Sequence, residues 1–264
     1  MNPHAQSTMT SAEPAPASRH PLHGFCLGDY RALLEELRGL GYRDVGLDGI
    51  DAAKPVMFVR HDVDLCLDRA VRIAEAEAEL GIAAYYYVLV SARLYNPASA
   101  ESRRAMRRLL ELGHAIGLHF DASLYEGGAG ALEAAAEEEC AILERLTGAP
   151  VRSISFHRPA PELHGRAGLF AGRAHTYDPR FFHEIGYISD SSGGWYRGHP
   201  LDHPSVKART AIQLLTHPVW WHASSPRAAE EEIAQLRAER ERVLGRGLAD
   251  ATAKAKALAN GASG

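Results

Sequence analysis

The stretch VMFVRHDVDLCLDRA, residues 56–70, runs from an apolar segment directly into a group of charged side chains. The apolar segment has the pattern of a short buried strand. Arg60, His61, Asp62 and Asp64 stand at its end. Because a buried carboxylate without a partner is strongly destabilising, we expect Asp62 and Asp64 to pair with a cation or with basic side chains.

The composition is that of an ordinary globular domain. The chain has 264 residues, of which 46% are hydrophobic and 23% are charged, and this length is sufficient for a core that needs no disulfide or metal. Lys and Arg number 29 against 33 Asp and Glu, which gives a net charge of −4. This balance offers no basic surface to a polyanion, so we expect no nucleic-acid partner.

The termini and the cysteines predict one central domain in a reducing compartment. Residues 1–22 are rich in Ala, Ser and Pro and lack the apolar segment of a signal peptide, so we expect a disordered tail there. No apolar run approaches the roughly 18 residues of a membrane span. The three cysteines are scattered, which argues against a disulfide framework and predicts a cytoplasmic protein. We expect one domain over 23–247 and a flexible tail over 248–264.

Strand and helix patterns alternate along the central domain. Helical spacing of apolar residues predicts five helices, at 29–42, 67–81, 99–113, 130–148 and 226–247. Short apolar or β-branched runs predict six strands, at 54–62, 82–90, 114–120, 151–159, 186–192 and 210–217. This alternation predicts a parallel sheet, either doubly wound or closed as a barrel, with function at the carboxyl ends of the strands.

The polar residues of chemical interest collect at those strand ends. They are Asp62, Asp64, His119, Arg158, Asp190 and His217. Because side chains alternate along a strand, Arg60, Asp62 and Asp64 share one face. On the third strand His119 is a better ligand candidate than His114, whose face is largely apolar. This clustering indicates an active site, although an ion-pair network of the two aspartates with Arg60 and Arg158 is the structural alternative.

Five short motifs, taken in order, resemble those of the carbohydrate esterase family 4 polysaccharide deacetylases, in particular a divergent branch that opens with Arg-His-Asp-Val-Asp. The motifs are RHDVD (60–64), GHAIGLHFD (113–121), FHRP (156–159), YISDSSGGW (187–195) and LLTHPVWW (214–221). The resemblance implies a distorted (β/α) barrel of about seven parallel strands. It also implies a hydrolase that uses a divalent metal, for which we expect zinc, to remove N-acetyl groups from sugars.

The resemblance assigns a role to each strand-end residue. Asp62 would be the general base, tethered by Arg158. His217 would be the general acid, tuned by Asp190. Asp64 and His119 would bind the metal.

We expect aromatic residues near the last two motifs to form one wall of the sugar site. Trp195 and Trp221 are the candidates for a flat surface under a sugar ring. Trp220 is assigned to the core, where tryptophan is more often found.

One position departs from the family pattern and leaves the third metal ligand open. The second motif of the family carries another metal-binding histidine four residues after the first, and here that position is Ser123. Asp121 would share a strand face with His119, and His157 lies where Pro159 must break its strand. We favour His157 because zinc readily accepts imidazole, and a catalytic zinc usually has three protein ligands.

Three functions therefore remain open at this level. The first is hydrolysis of the N-acyl amide of a sugar or polysaccharide, and the second is the same chemistry on a small non-sugar amide. The third is a degenerate barrel that binds a glycan without turnover. Ser123, which stands where the family has a metal-binding histidine, suggests this possibility. The oligomeric state is not predicted.

Overall fold

The structure, a computed structural model, describes residues 24–159 and 163–261. The tail expected over 1–22 lies outside these residues. Within the described part of the chain, no helix is both long enough and apolar enough to cross a membrane.

A curled sheet of parallel strands forms the centre of the molecule. Its strands are β1 Arg43–Asp44, β2 Val56–Val63, β3 Tyr85–Val88, β4 Ala115–Phe120, β5 Ser153–Phe156, β6 Ala174–His175, β7 Gly186–Ser189 and β8 Ile212–Thr216. Seven of them follow the order β6-β5-β4-β3-β2-β8-β7, and β1 pairs with β2 outside this path. Among the described residues no pairing joins β6 to β7, so the barrel is incomplete. The expected fold, a distorted (β/α) barrel of about seven parallel strands, is confirmed.

Helices surround the sheet. They are α1 Leu27–Gly39, α2 Asp68–Glu79, α3 Ala100–Glu111, α4 Ala129–Thr147, α5 Pro179–Phe182, α6 Pro204–Ala208, α7 Pro218–Trp221 and α8 Ala229–Gly261. The sequence pattern predicted α1 to α4 within a few residues. The sequence pattern predicts that the last helix ends at residue 247. In the structure α8 continues to Gly261, because its second half is rich in the strong helix formers Ala, Leu and Lys.

Strand β2 separates two buried polar networks, because its side chains alternate between the faces of the sheet. On the helix side, His61 Nε2 lies 2.7 Å from Glu77 Oε1, and the hydroxyls of Tyr30 and Tyr86 donate to the same carboxylate at 2.5 and 2.6 Å. Burial disfavours the charged Glu77, but the nearby histidines and these hydrogen bonds outweigh burial and lower its pKa. This network fixes α2 and β2 to each other, and it assigns His61 a structural role.

The interior of the barrel holds the second network, which is centred on Arg60. This fully buried guanidinium donates to Ser155 Oγ at 2.8 Å and to Thr176 Oγ1. It also lies 5.9 Å from the ring centre of Tyr87 and 5.4 Å from that of Tyr177. Residues 60 and 62 share this face, so the base predicted from the sequence stands directly above a buried cation.

Candidate active site

The carboxyl ends of four strands deliver five of the predicted site residues to one cleft of about 1030 Å³. Asp62 and Asp64 come from β2 and the residue after it, His119 from β4, and His157 from the position after β5. His217 follows β8, which pairs with β2 on the other side. All five residues line the cleft, as parallel strand ends predict.

Three of these side chains form a cluster that can hold a metal ion. His119 Nε2 lies 3.0 Å from Asp64 Oδ1, and His157 Nδ1 lies 3.2 Å from each of these two atoms. Donor atoms bonded to one tetrahedral zinc ion are separated by about 3.3 Å, given bonds of about 2.0–2.1 Å. His119 Nδ1 lies 3.3 Å from the carbonyl oxygen of Ser155, an arrangement that leaves Nε2 for a metal. The donor set and its spacing therefore fit a divalent cation.

The geometry distinguishes the two candidates for the third ligand. His157 belongs to the cluster, whose donor atoms all lie within 4.8 Å of one another, and Asp121 does not. Asp121 instead accepts hydrogen bonds from the backbone N–H of Ser123 at 3.1 Å and from its hydroxyl at 2.6 Å. Asp121 and Ser123 thus start a short turn of helix after β4, and the histidine donor comes from the next strand.

The charged groups of this cluster shift one another's pKa values. Burial disfavours the charged form of Asp64, but hydrogen bonds from His119 and His157 outweigh it, so the pKa of Asp64 lies well below its usual range. Burial likewise disfavours charged His119, while Asp62 and Asp64 act in the opposite direction and raise its pKa. A cation bound by the same atoms would replace these protons.

Asp62 lies at the floor of the cleft, with only 3% of its surface exposed. Its Oδ2 accepts a hydrogen bond from Ser155 Oγ at 3.1 Å and lies 3.6 Å from Arg60 Nη2 and 3.9 Å from His119 Nε2. Its Oδ1 has no hydrogen-bond partner among the described residues. One oxygen is thus held by the protein and the other can still accept a proton.

The arginine that forms an ion pair with Asp62 is Arg60, whose Nη2 lies 3.6 Å from Oδ2, whereas the motif resemblance implied Arg158. Arg158 is exposed, has a left-handed backbone with φ of 44°, and lines the cleft. No ion pair between Arg158 and Asp62 occurs among the described residues. Sequence alternation contained the signal for Arg60, since residues 60 and 62 lie on one face of β2.

His217 and Asp190 form a pair on the β8 side of the cleft. His217 Nδ1 lies 2.6 Å from Asp190 Oδ1, and the backbone N–H of His217 donates to Asp190 Oδ2 at 2.9 Å. The indole N–H of Trp221 donates to Asp190 Oδ2 at 2.6 Å. Burial disfavours the charged imidazole, but Asp190, with help from Asp64 and Asp62, outweighs it and raises the pKa of His217 to about 9. The Nε2 of this ring, 3.8 Å from Asp64 Oδ2, faces the metal-ligand cluster.

The two tryptophans expected to form the sugar-binding wall lie in the core. Trp195 is 2% exposed and Trp221 1% exposed, and both rings pack on Phe25 with centroids 5.6 and 4.0 Å away. Neither lines the cleft, which Trp220 lines instead. Adjacent residues of the one-turn helix α7 point in different directions, so position 220 faces the cleft while position 221 turns inward to Asp190.

Helix α8 also lines the cleft, which the sequence pattern did not predict. Glu230, Ile233 and Arg237 are among its residues at the cleft, and all three are exposed. The buried carboxylate of Glu232 anchors the helix, since its Oε2 lies 2.8 Å from Arg69 Nη1 and 2.9 Å from His222 Nε2. The amphipathic pattern identified a surface helix but not the surface on which it packs.

Comparison with known proteins gives matches among solved structures. No family model matches the chain, and no curated protein matches it. The solved structures include a pseudoenzyme of the CE4 family from Bacillus anthracis, which is 12% identical, with a TM-score of 0.40. The match covers 73% of this chain and 62% of the other, so the chain spans less than two thirds of that protein.

Two further matches carry related names. A family 4 carbohydrate esterase from Bacillus anthracis is 16% identical over 80% of this chain and 86% of the other, with a TM-score of 0.39. The peptidoglycan deacetylase PdaC from Bacillus subtilis is 12% identical over 73% of this chain and 87% of the other, with a TM-score of 0.42. The family named for the first two of these three proteins is the one that the sequence motifs resemble.

Proposed function

We propose that this chain is a metal-dependent hydrolase that removes the acyl group from an N-acylated sugar. The observation that supports this most strongly is the convergence of three metal-binding donor atoms, a buried carboxylate and an Asp-paired histidine in one cleft. Each group suits one task in the hydrolysis of an amide bond.

The cation would be held by Asp64, His119 and His157. Two imidazoles and one carboxylate are a donor set that zinc accepts, and three protein ligands leave a position open. When bound, the ion would supply polarisation of the amide carbonyl and a lowered pKa for water.

Asp62 is the general base of this proposal. Its Oδ1, which has no hydrogen-bond partner among the described residues, takes the proton from the attacking water. Arg60 acts through Asp62 as a positioning residue, because its buried guanidinium lies 3.6 Å from Oδ2 and donates to Ser155, which in turn donates to the same oxygen.

His217 is the general acid. An amine leaves as a neutral molecule only if it receives a proton as the bond to carbon breaks. With its pKa raised to about 9, His217 carries that proton at neutral pH, and Asp190 fixes the ring so that Nε2 faces the cleft. An ionised carboxylate and a charged imidazole on two sides of the metal-ligand cluster give the expected division between base and acid.

The choice of a sugar rests on the motif resemblance and on the lining of the cleft. Tyr177, Tyr187 and Trp220 supply aromatic surface beside the predicted metal ligands, and the cleft volume is at the upper end of the range for small-molecule sites. The rival proposal, a barrel that binds a glycan without turnover, drew on Ser123. It loses that support because His157 provides a third donor.

The test is acetate release from N-acetylglucosamine and its β1,4-linked oligomers by protein that is stripped with a chelator and reloaded with zinc. The proposal expects release by the zinc form, no release by the stripped form, and none by Asp62→Asn. Ser123→Ala, an exposed position outside the cluster, is the matched control and keeps its activity. Sugar binding with zinc bound but no release from any N-acyl sugar would favour the binding barrel, and release from non-sugar amides alone would change the substrate class.

A further inference from the structure

Two arginines beside the metal-ligand cluster have no carboxylate partner among the described residues. Arg158 lines the main cleft and directly follows His157 in the chain. Arg197 lines a second cavity, of about 220 Å³, which shares Pro159 and Ser191 with the cleft. Both arginines are exposed. Each of the two adjoining spaces therefore offers an unpaired guanidinium to a bound molecule.

The carboxylates of the main cleft already have basic neighbours or belong to α8. At the floor, Asp62 lies beside Arg60, and Asp64 lies beside the two histidines of its cluster. The other two carboxylates are on α8, where Arg237 Nε lies 2.8 Å from Glu241 Oε1. The charge of Arg158 is the one that remains without a counterion at the cleft, among the described residues.

The smaller cavity carries positive charge and hydrogen-bond donors. No carboxylate lines it among the described residues, and Tyr187 and Ser189 of β7 are part of its wall. Besides Arg197, hydroxyl groups from serine and tyrosine can donate there. The β7 side of the site is therefore suited to an anion, whereas the α8 side is not.

The backbone of Arg158 is strained. Its φ of 44° lies in the left-handed region, which is unfavourable for a residue with a side chain. The preceding residue is held in place, since the N–H of His157 donates to the carbonyl oxygen of Phe120 at 2.8 Å. Such strain occurs most often at functional sites. Because Asp62 pairs with Arg60, this arginine is left free to contact a substrate.

We infer that Arg158 and Arg197 bind an anionic group of the substrate, which is then an N-acylated sugar that carries a carboxylate or a phosphate. This inference rests on the proposed function, since the reacting amide places the sugar in the cleft. A guanidinium binds either group through two parallel hydrogen bonds. The arginines thus determine which sugar is selected, and the chemistry at the amide stays with the residues already assigned.

The experiment compares N-acetylglucosamine with three charged analogues, its 1-phosphate, its 6-phosphate and its uronic acid, as substrates of the zinc-loaded full chain. The wild type should have a lower KM for at least one charged sugar, and the sugar preferred identifies the group. Arg158→Ala and Arg197→Ala should each raise that KM by roughly threefold to tenfold relative to the neutral sugar, between the values for an exposed ion pair and for a hydrogen bond to a charged group. Arg158→Lys, which keeps the charge, should retain part of the preference.

Arg237→Ala is the matched control, because this arginine lies at the same cleft but is already paired with Glu241. It should change the preference less than about twofold. No preference for any charged sugar, or a preference that persists when Arg158 and Arg197 are both replaced by alanine, would overturn the inference. The second result would mean that the anion is held elsewhere, for example by the zinc.

Failure of the proposed function can be told apart from failure of this inference. If no sugar of either charge is hydrolysed, the proposed function fails, and calorimetric titration of the same zinc-loaded chain decides the inference. Tighter binding of a charged sugar than of N-acetylglucosamine, lost in the double alanine variant, supports it. Equal binding of all four sugars, or binding of none, overturns it.

Discussion

Arg60 and Asp62, two residues apart on β2, form a buried ion pair inside the barrel with Nη2 3.6 Å from Oδ2. Both side chains are almost completely shielded from solvent. Oδ2 of the proposed base thus lies near Arg60 and accepts from Ser155, whereas Oδ1 has no hydrogen-bond partner among the described residues. Arg158, the tether that the motif resemblance implied, is exposed at the rim.

This relationship predicts different effects for the two arginines. Arg60→Lys should lower kcat at least about tenfold, because an ammonium group cannot reproduce the forked contacts of a guanidinium. KM and zinc content should stay near the wild-type values, since Arg60 contacts neither substrate nor metal in this proposal. Arg158→Ala should leave kcat within about threefold. Steady-state kinetics and metal analysis check both, and a larger fall in kcat for Arg158→Ala than for Arg60→Lys would contradict the assignment.

The third ligand can be tested by metal affinity. His157→Ala should weaken zinc binding by more than about a hundredfold, because it removes a direct ligand and even outer partners are worth about 10–100-fold. Asp121→Ala, the matched change at the rejected candidate, should leave affinity nearly unchanged. Competition titration with a chromophoric chelator measures both. Equal losses in the two variants would mean that Asp121 also holds the ion.

The pH profile should report on His217. The general acid must be protonated, and Asp190 raises its pKa to about 9, so the loss of activity that His217 causes should appear in the alkaline range. In Asp190→Asn the pKa falls, and the alkaline limb of kcat should move to lower pH. An unmoved alkaline limb in this variant would exclude His217 as the group that titrates there.

The same pair should affect stability with a defined sign. A histidine whose folded pKa is raised stabilises the fold fully below its unfolded pKa of about 6.5, and the contribution is lost as pH rises through the folded value. The difference in unfolding free energy between wild type and Asp190→Asn should therefore shrink from pH 6.5 to about 9. Denaturant titration of the chelator-treated proteins measures it. A constant difference across this range would mean that only the bonds of Asp190 to backbone and Trp221 matter.

Helix α8 should depend on Glu232. Glu232→Ala leaves Arg69 and His222 without their shared buried partner and should lower the free energy of unfolding by about 3–5 kcal/mol. Glu230→Ala, at an exposed position of the same first turn, should change it by less than about 0.5 kcal/mol. Chemical denaturation compares the two variants. Similar losses would show that the helix is not anchored through the buried carboxylate.

The convergence of the site could be predicted from sequence because it follows from topology. Parallel strands end at one edge, so residues such as Asp64 and His119 meet even though they are far apart in the chain. The arginine that pairs with Asp62 is harder to predict, because a long side chain can approach from a neighbouring strand or from the same one. The alternation of side chains along β2 favours Arg60 as this partner, whereas the motif resemblance implies Arg158.

Orientation within short helices and long-range packing could not be predicted. Trp220 and Trp221 are consecutive and chemically alike, and only the path of α7 decides which ring meets Asp190. For α8 the apolar pattern was weak, because the helix is anchored by a buried ionic contact at Glu232 as well as by Leu236. Such contacts depend on distant residues, here Arg69 and His222, whose positions only the fold determines.

The central claim is that Asp64, His119 and His157 bind one cation. The most direct measurement is anomalous diffraction at the zinc edge from crystals of the zinc-loaded protein. The account predicts a single strong peak within about 2.0–2.2 Å of Asp64 Oδ1, His119 Nε2 and His157 Nδ1. A zinc ion bound without His157, or no ion at these three atoms under saturating zinc, would contradict it.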